Sequence, residues 1–204
     1  MELIVESGHP SPIHGTDAQN TRAYATVILD VDSGISRIDG LAWLAARRGD
    51  VVSHRVAALA PRIRAGDAHA YAECLSAIRP RREEVDALAR AYVDALAPDS
   101  VDAIARLRRD GVRVVVVSRG LRHAMYRLAY RLAIDLDDVH AVDVRFDALG
   151  AYIGFDYASP LTSDEARRAF LAQLDVERPV LVVGDGPGER AITSFDELVS
   201  TVLR

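Results

Sequence analysis

The sequence of 204 residues contains no lysine, and arginine supplies all 25 of its fixed cations. Its single cysteine, Cys74, excludes an internal disulfide and any metal site built from clustered thiolates. Its apolar runs are far shorter than the roughly 20 residues of a membrane span, and it has no long basic run. With a net charge of −5, the chain is not expected to bind nucleic acid or a membrane. A single free cysteine is typical of proteins in the reducing cytoplasm, so we expect a cytoplasmic protein.

What the sequence does have is a short apolar segment that ends in two acids. Residues 24–29 are mostly apolar and β-branched, which is typical of a buried strand, and Asp30 and Asp32 follow directly. Ligands of open parallel α/β sheets bind at the carboxyl ends of strands, and two acids there are costly without a cation or a substrate. Two interpretations follow: a Mg²⁺ and phosphoryl-transfer site, or a loop in which Asp32 only caps a helix.

Two more apolar strands also end in polar groups. Residues 111–117 are followed by the segment Ser118-Arg119-Gly120. Residues 179–183 are followed by a glycine-rich turn that contains Asp185 and, four residues later, Glu189. Because the carboxyl ends of parallel strands meet at one edge of a sheet, we predict an α/β fold that brings the three tips together.

The pattern between the first and second strands is helical. We predict a helix over 35–48 and further helices over 51–97, broken at Pro61, Gly66-Asp67 and Pro80. No strand-like alternation occurs here, so this region is predicted to be a small helical subdomain inserted into the α/β core. The predicted α/β core comprises residues 1–37 and 98–204, of which residues 1–22 form a loose N-terminal arm. The predicted helical insertion comprises residues 38–97.

Together the tips describe a site for phosphate and Mg²⁺, a cation that prefers oxygen ligands. Asp30 and Asp185 are candidate direct ligands, assisted by the main-chain carbonyl of Asp32 and by Glu189. Ser118 and the amides beside it, including that of Gly120, are candidate donors to phosphate oxygens. The guanidinium of Arg119 either binds the phosphate as well or faces solvent. Asp30 is then placed to attack phosphorus and form an aspartyl-phosphate, while Asp32 protonates the leaving oxygen and later activates water.

These motifs, in this order, resemble those of the haloacid dehalogenase (HAD) superfamily, and most closely its phosphoserine phosphatase-like group. The resemblance extends from about residue 25 to residue 192. It implies a Rossmann-like parallel sheet core, a small all-helical cap inserted after the first strand, Mg²⁺ as cofactor and a small phosphorylated metabolite as substrate; a homodimer is left open. The matching segments are Asp30-Val-Asp-Ser33, Ile38-Asp39-Gly40, Ile78-Arg-Pro-Arg-Arg-Glu-Glu-Val85, Ser118-Arg119-Gly120, Gly154-Phe-Asp156 and Gly184-Asp-Gly-Pro-Gly-Glu189.

The sequence departs from this family where a lysine is expected, near Asp164. Arg167 or Arg168 lies within a turn of that position and is the candidate substitute beside the phosphate, although the plainer interpretation is that both lie on a solvated helix face. Glu189 replaces the usual aspartate and keeps its charge. Gly34 replaces a threonine or valine and adds backbone freedom.

The residues expected to bind the substrate also differ. Cys74 stands where the family has an arginine for the substrate carboxylate, and it cannot form that ion pair. Asp39 occupies the position of the family's glutamate that binds the substrate amine. The candidate replacements for the missing cation are Arg62, Arg64 and Arg79.

Three functions therefore remain open. The first is a Mg²⁺-dependent phosphatase for a small phosphomonoester other than phosphoserine, with activity reduced by the missing lysine. The second is a catalytically impaired HAD-like protein with a binding or regulatory role. The third is a phosphoserine phosphatase whose carboxylate site is rebuilt from another arginine.

Overall fold

The computed structural model describes residues 22–184 and 189–204. The predicted N-terminal arm, apart from Arg22, and the segment 185–188 lie outside the described residues. In chain order the strands and α-helices are β1 (Thr26–Leu29), α1 (Gly40–Ala45), α2 (Asp50–Arg64), α3 (Ala68–Ile78), α4 (Arg82–Asp94), α5 (Ser100–Arg109), β2 (Arg113–Leu121), α6 (Arg122–Arg131), β3 (Val139–Val142), β4 (Val144–Phe146), β5 (Tyr152–Phe155), α7 (Asp164–Gln173), β6 (Val180–Val183) and α8 (Phe195–Val202).

A parallel sheet of four strands, in the order β3-β2-β1-β6, forms the centre of the fold. Val27 in β1 pairs with Val114 in β2 on one side and with Leu181 in β6 on the other. All four residues of β1 are buried, because helices and neighbouring strands cover them, and this explains the unbroken apolar run. The carboxyl ends of the three predicted strands therefore meet at one edge, as expected.

The chain segment just after β1 differs from its prediction as a helix over 35–48. Val31–Ile35 forms a single π-helical turn, and the regular helix α1 begins only at Gly40. Asp39 caps α1, since its Oδ1 accepts a hydrogen bond from the amide of Ala42 at 2.9 Å. Asp30 caps this π-helical turn and Asp32 lies within it, so neither acid belongs to a regular α-helix.

Helices α1–α4 form the helical insertion after β1, and α4 packs against the core helix α6. The breaks predicted at Gly66-Asp67 and at Pro80 are confirmed. The break predicted at Pro61 is wrong, because α2 continues through it to Arg64. Pro61 cannot donate one helical hydrogen bond, but its neighbours Leu59 and Ile63 are buried and hold the helix in place, and its carbonyl still accepts a bond from Ala65.

Two further segments refine the predicted elements. The β2 strand extends to Leu121, but its pairing with β3 is irregular between Val117 and Leu121, so residues 118–120 leave the ladder. The C-terminal segment, predicted as a strand or a helix, is the helix α8. Within the described ranges, no helix is long and apolar enough to cross a membrane.

Core packing far from the predicted site generates a first prediction. Leu107 is fully buried on the apolar face of α5. We expect Leu107→Ala to lower the free energy of unfolding by about 2–5 kcal/mol, because it removes buried methyl groups and leaves a cavity. Urea unfolding of this variant and of the control Arg108→Ala, an exposed neighbour on the same helix, measures the effect. A loss no larger than that of the control would contradict the assigned packing.

Candidate active site

The tips of β1 and β2 are joined by a hydrogen bond between two predicted site residues. Asp30 follows β1 and is only 8% exposed, and Ser118, in β2, is fully buried. The hydroxyl of Ser118 donates to Asp30 Oδ1 at 2.9 Å, and the amide of Asp32 donates to the same oxygen at 3.3 Å. The amide of Gly120 donates to Ser118 Oγ at 3.1 Å. Both hydrogen bonds to Asp30 therefore fall on Oδ1, which fixes the carboxylate while leaving Oδ2 for chemistry.

The second acid, Asp32, is held by a residue that the sequence analysis missed. The hydroxyl of Tyr92 in α4 donates to Asp32 Oδ1 at 2.6 Å, and the amide of Gly40 donates to the same atom at 3.3 Å. Tyr92 is fully buried. In the sequence it belongs to the apolar stripe of its helix and gives no sign of a polar role.

Two glycines allow the close packing around Asp32. A Cβ at Gly40 would overlap the hydroxyl of Tyr92. A Cβ at Gly120 would lie 2.5 Å from Met125 Cε and 3.4 Å from Asp32 Oδ2. Gly120 therefore lets the β2 tip approach the oxygen of Asp32 that Tyr92 does not hold.

Burial favours the neutral form of both Asp30 and Asp32. Desolvation raises the pKa of Asp30, while the hydrogen bond from Ser118 and the positive charge of Arg167 act in the opposite direction. Desolvation, and then the charge of Asp30, raise the pKa of Asp32 to about 7. The Asp32 carboxyl can therefore hold a proton near neutral pH and release it to an acceptor, as a general acid must.

The predicted phosphate residue Arg119 forms an ion pair with Asp164 at the start of α7. Its main-chain carbonyl accepts a hydrogen bond from the Tyr71 hydroxyl at 2.6 Å. Asp164 lies where the family resemblance predicts a lysine. The cation beside this position is instead the guanidinium of Arg119, which comes from the tip of β2. The Arg119 Nε atom is buried and has no hydrogen-bond partner among the described residues.

Of the two candidate substitutes for the missing lysine, Arg167 points into the protein and Arg168 is exposed. Arg167 is 4% exposed and forms a buried ion pair with Glu189, a predicted metal ligand. Its charge acts on Asp30, so it lies close to the first acid. Glu189 lies against Gly184, where a Cβ would overlap its carboxylate. In this arrangement Glu189 neutralises an arginine.

A cavity of about 180 Å³ extends from the two acids toward the helical insertion. Its polar lining includes Arg119, Asp39 at the start of α1 and Arg64 at the end of α2. Cys74 is fully buried and is not part of the lining, and burial raises the pKa of its thiol to about 12, so it stays neutral.

The other two candidate arginines are engaged outside the cavity. Arg62 pairs with Asp67, and Arg79 donates to the carbonyl of Tyr152 at 3.4 Å. Of the three predicted replacements for the family arginine, Arg64 is the one that the structure places beside the cavity.

Comparison with known proteins identifies the family of the chain. The sequence matches the family of haloacid dehalogenase-like hydrolases over residues 26–188. The chain belongs to this family. It is similar to the phosphoserine phosphatase of Homo sapiens, with 30% identity over 167 residues that cover 78% of this chain and 73% of that protein. The phosphoserine phosphatase of Mus musculus is 28% identical over 166 residues, with the same coverage of 78% and 73%.

Solved structures show the same fold. A phosphoserine phosphohydrolase-like protein from Francisella tularensis subsp. tularensis SCHU S4 has a TM-score of 0.71 at 18% identity, covering 79% of this chain and 78% of that one. A substrate-bound phosphoserine phosphatase complex has a TM-score of 0.65 at 15% identity, covering 81% of this chain and 80% of that one. The HAD-like α/β fold with a helical cap after the first strand is thus confirmed.

In this HAD-like hydrolase, the acid pair is the part of the site that fits a divalent cation. Burial raises the pKa values of both carboxyl groups, so a cation beside them would be favourable, and their oxygens are the ligands that Mg²⁺ prefers. The predicted ligand Asp185 lies outside the described residues. Among residues 22–184 and 189–204, no three acidic, histidine or cysteine side chains are grouped so that they could hold a metal ion.

The raised pKa of Asp32 generates a second prediction. Because the folded protein favours the neutral carboxyl, its stability should fall as the pH rises from about 4 toward about 7. In the presence of a chelator, we expect Asp32→Asn to lose less unfolding free energy than the unaltered protein between about pH 5 and pH 8, by more than about 1 kcal/mol. Urea unfolding at both pH values measures this difference. The exposed-site control Asp50→Asn should behave like the unaltered protein, and an Asp32→Asn variant that does the same would refute the prediction.

The buried pair of Arg167 and Glu189 generates a third prediction. Arg167→Met leaves the Glu189 charge buried without this partner, so we expect a loss of about 3–5 kcal/mol in unfolding free energy. The double variant Arg167→Met/Glu189→Leu should regain much of it, because the buried Glu189 charge is then removed as well. Chemical denaturation of both variants, beside the exposed control Arg168→Met, measures this recovery. A double variant at least as unstable as Arg167→Met would argue against the pair.

Proposed function

We propose that the protein is a Mg²⁺-dependent phosphatase that hydrolyses a small phosphomonoester through an aspartyl-phosphate on Asp30. The observation that carries the proposal is that Asp30 lines the cavity and is held at one of its two oxygens. Ser118 and the amide of Asp32 both bond its Oδ1, so Oδ2 is oriented as the attacking atom. The similarity to phosphoserine phosphatases supports this reaction type.

In the proposed reaction, Asp32 moves the proton. Tyr92 and Gly40 hold its Oδ1, and a carboxyl with a pKa of about 7 can protonate the oxygen of the leaving alcohol. Once the alcohol has left, the Asp32 carboxylate can take a proton from water that attacks the phosphorylated Asp30. Phosphate is then released and both acids return to their first state.

The proposed phosphate site is cationic on two sides. Ser118, the amide of Gly120 and the guanidinium of Arg119 lie at the β2 tip, and Arg167 approaches Asp30 from α7. Arg119 and Arg167 are already paired with acids, which holds the arginines in place and also reduces their net attraction for phosphate. This supports the expectation that activity is lower than a free lysine would give.

Mg²⁺ would be held by Asp30, the main-chain carbonyl of Asp32 and Asp185, with Glu189 as a further candidate when it is not bound to Arg167. Its chemistry would be to neutralise the charge that gathers on the phosphoryl oxygens and on Asp30. The size of the cavity favours a small phosphorylated metabolite, and the free, buried cysteine is consistent with a cytoplasmic protein.

A comparison of Asp30→Asn with the unaltered protein tests the proposal. Phosphate release from a panel of phosphomonoesters in the presence of Mg²⁺ should fall by at least about 10³-fold in Asp30→Asn, because the nucleophile is lost. The exposed variant Asp50→Asn, which makes the same chemical change elsewhere, should keep its rate. Equal rates in the unaltered protein and Asp30→Asn would rule out Asp30 as the nucleophile.

The alternative function is a catalytically impaired HAD-like protein with a binding or regulatory role. The observation that favours it is that acids occupy both site arginines. Calorimetry with Mg²⁺ and beryllofluoride, which imitates a phosphorylated aspartate, separates the two functions. Binding without turnover of any ester would support the impaired protein, and turnover would exclude it.

A further inference from the structure

The part of the cavity lining that the helical insertion supplies is largely apolar. One face of α2 and the first residues of α1 form this wall of the cavity that Asp30 and Asp32 also line. The apolar side chains that line it are Leu41, Ala42, Val56, Ala57, Ala60 and Ile63. A phosphoryl group that meets Asp30 would therefore direct its leaving alcohol against carbon.

The cavity is also small in volume. Its volume of about 180 Å³ lies below the roughly 300–1,000 Å³ of pockets that take drug-sized ligands, so the alcohol has few heavy atoms. Three of the six wall residues are alanines. A larger side chain at such a position would remove much of the space.

The charged groups beside this wall are exposed or already engaged. Arg119 is paired with Asp164. Asp39 and Arg64 are exposed, and Asp39 Oδ1 already accepts the amide of Ala42. Exposed ion pairs contribute little, whereas moving an ammonium and a carboxylate from water to an apolar wall is costly. The balance favours an uncharged leaving group over the serine of phosphoserine.

We propose that the site takes phosphomonoesters of short aliphatic alcohols, whose carbon chain packs against the α1–α2 wall. This inference rests on the proposed phosphatase function and names its substrate class. Isobutyl phosphate is a suitable probe, because its branched alcohol has an outline similar to that of serine but carries no charge. Phosphoserine is the matched charged ester.

The first test compares kcat/KM for these two esters with Mg²⁺ present. We expect isobutyl phosphate to exceed phosphoserine by at least about tenfold, although isobutanol is intrinsically the poorer leaving group. The corresponding non-hydrolysable phosphonates should show the same order of affinity by calorimetry. An equal or higher kcat/KM for phosphoserine would overturn the proposal. If this preference for phosphoserine were then lost in Arg64→Gln, the recognition of the charged ester would be assigned to Arg64.

The second test fills the cavity. Ala60→Leu places a larger side chain in the wall, so the ratio of kcat/KM for isobutyl phosphate to that for ethyl phosphate should fall by at least about tenfold. Ala58→Leu makes the same change on the same helix but outside the cavity and should leave the ratio unchanged. An unchanged ratio in Ala60→Leu would overturn the proposed wall.

Acetyl phosphate separates failure of this inference from failure of the proposed function. Its small, reactive leaving group needs little from the wall. If its Asp30-dependent hydrolysis is found while isobutyl phosphate has no advantage over phosphoserine, the phosphatase stands and only the substrate class is wrong. If no ester is hydrolysed, the phosphatase function fails and the substrate class with it.

Discussion

The structure of the site depends on keeping two carboxylates together out of water. Asp30 and Asp32 lie where β1 ends, and burial raises the pKa of both. Such a pair is unfavourable for the isolated fold. The surrounding elements each contribute something that offsets this cost: a hydroxyl from β2, a hydroxyl from α4, and the positive charge of Arg167 from α7. The site is therefore built from the same contacts that join the sheet to the helices around it.

The sequence was sufficient to predict the elements that depend on local pattern. The apolar strands, the acids at the tip of β1 and the hydroxyl at the tip of β2 are each visible within a few residues, and parallel topology then places Asp30 beside Ser118. The break predicted at Pro61 is wrong because a proline removes only one helical hydrogen bond, and the buried neighbours Leu59 and Ile63 hold α2 together around it. This packing is not visible in the local sequence pattern.

What could not be predicted are the partners chosen over long separations. Tyr92 has the spacing of a core residue, and only the packing of α4 shows that its hydroxyl reaches Asp32. Asp164 occupies the place of an expected cation, yet it pairs with Arg119, which lies 45 residues earlier. Arg167 and Arg168 are adjacent in sequence, and the helix rotation alone decides that the first is buried and the second exposed.

The helical insertion and the acid site are coupled at one turn. Gly66, between α2 and α3, has a φ of +75°, and a Cβ there would overlap the backbone of Asp164. The same Asp164 pairs with Arg119, which lines the cavity beside Asp30. Because α2 also supplies the apolar wall, the contact at Gly66 links that wall to the ion pair of Arg119. A shift of α2 against Asp164 would therefore change both the wall of the cavity and the position of Arg119, so binding of a leaving group and placement of this arginine depend on the same contact.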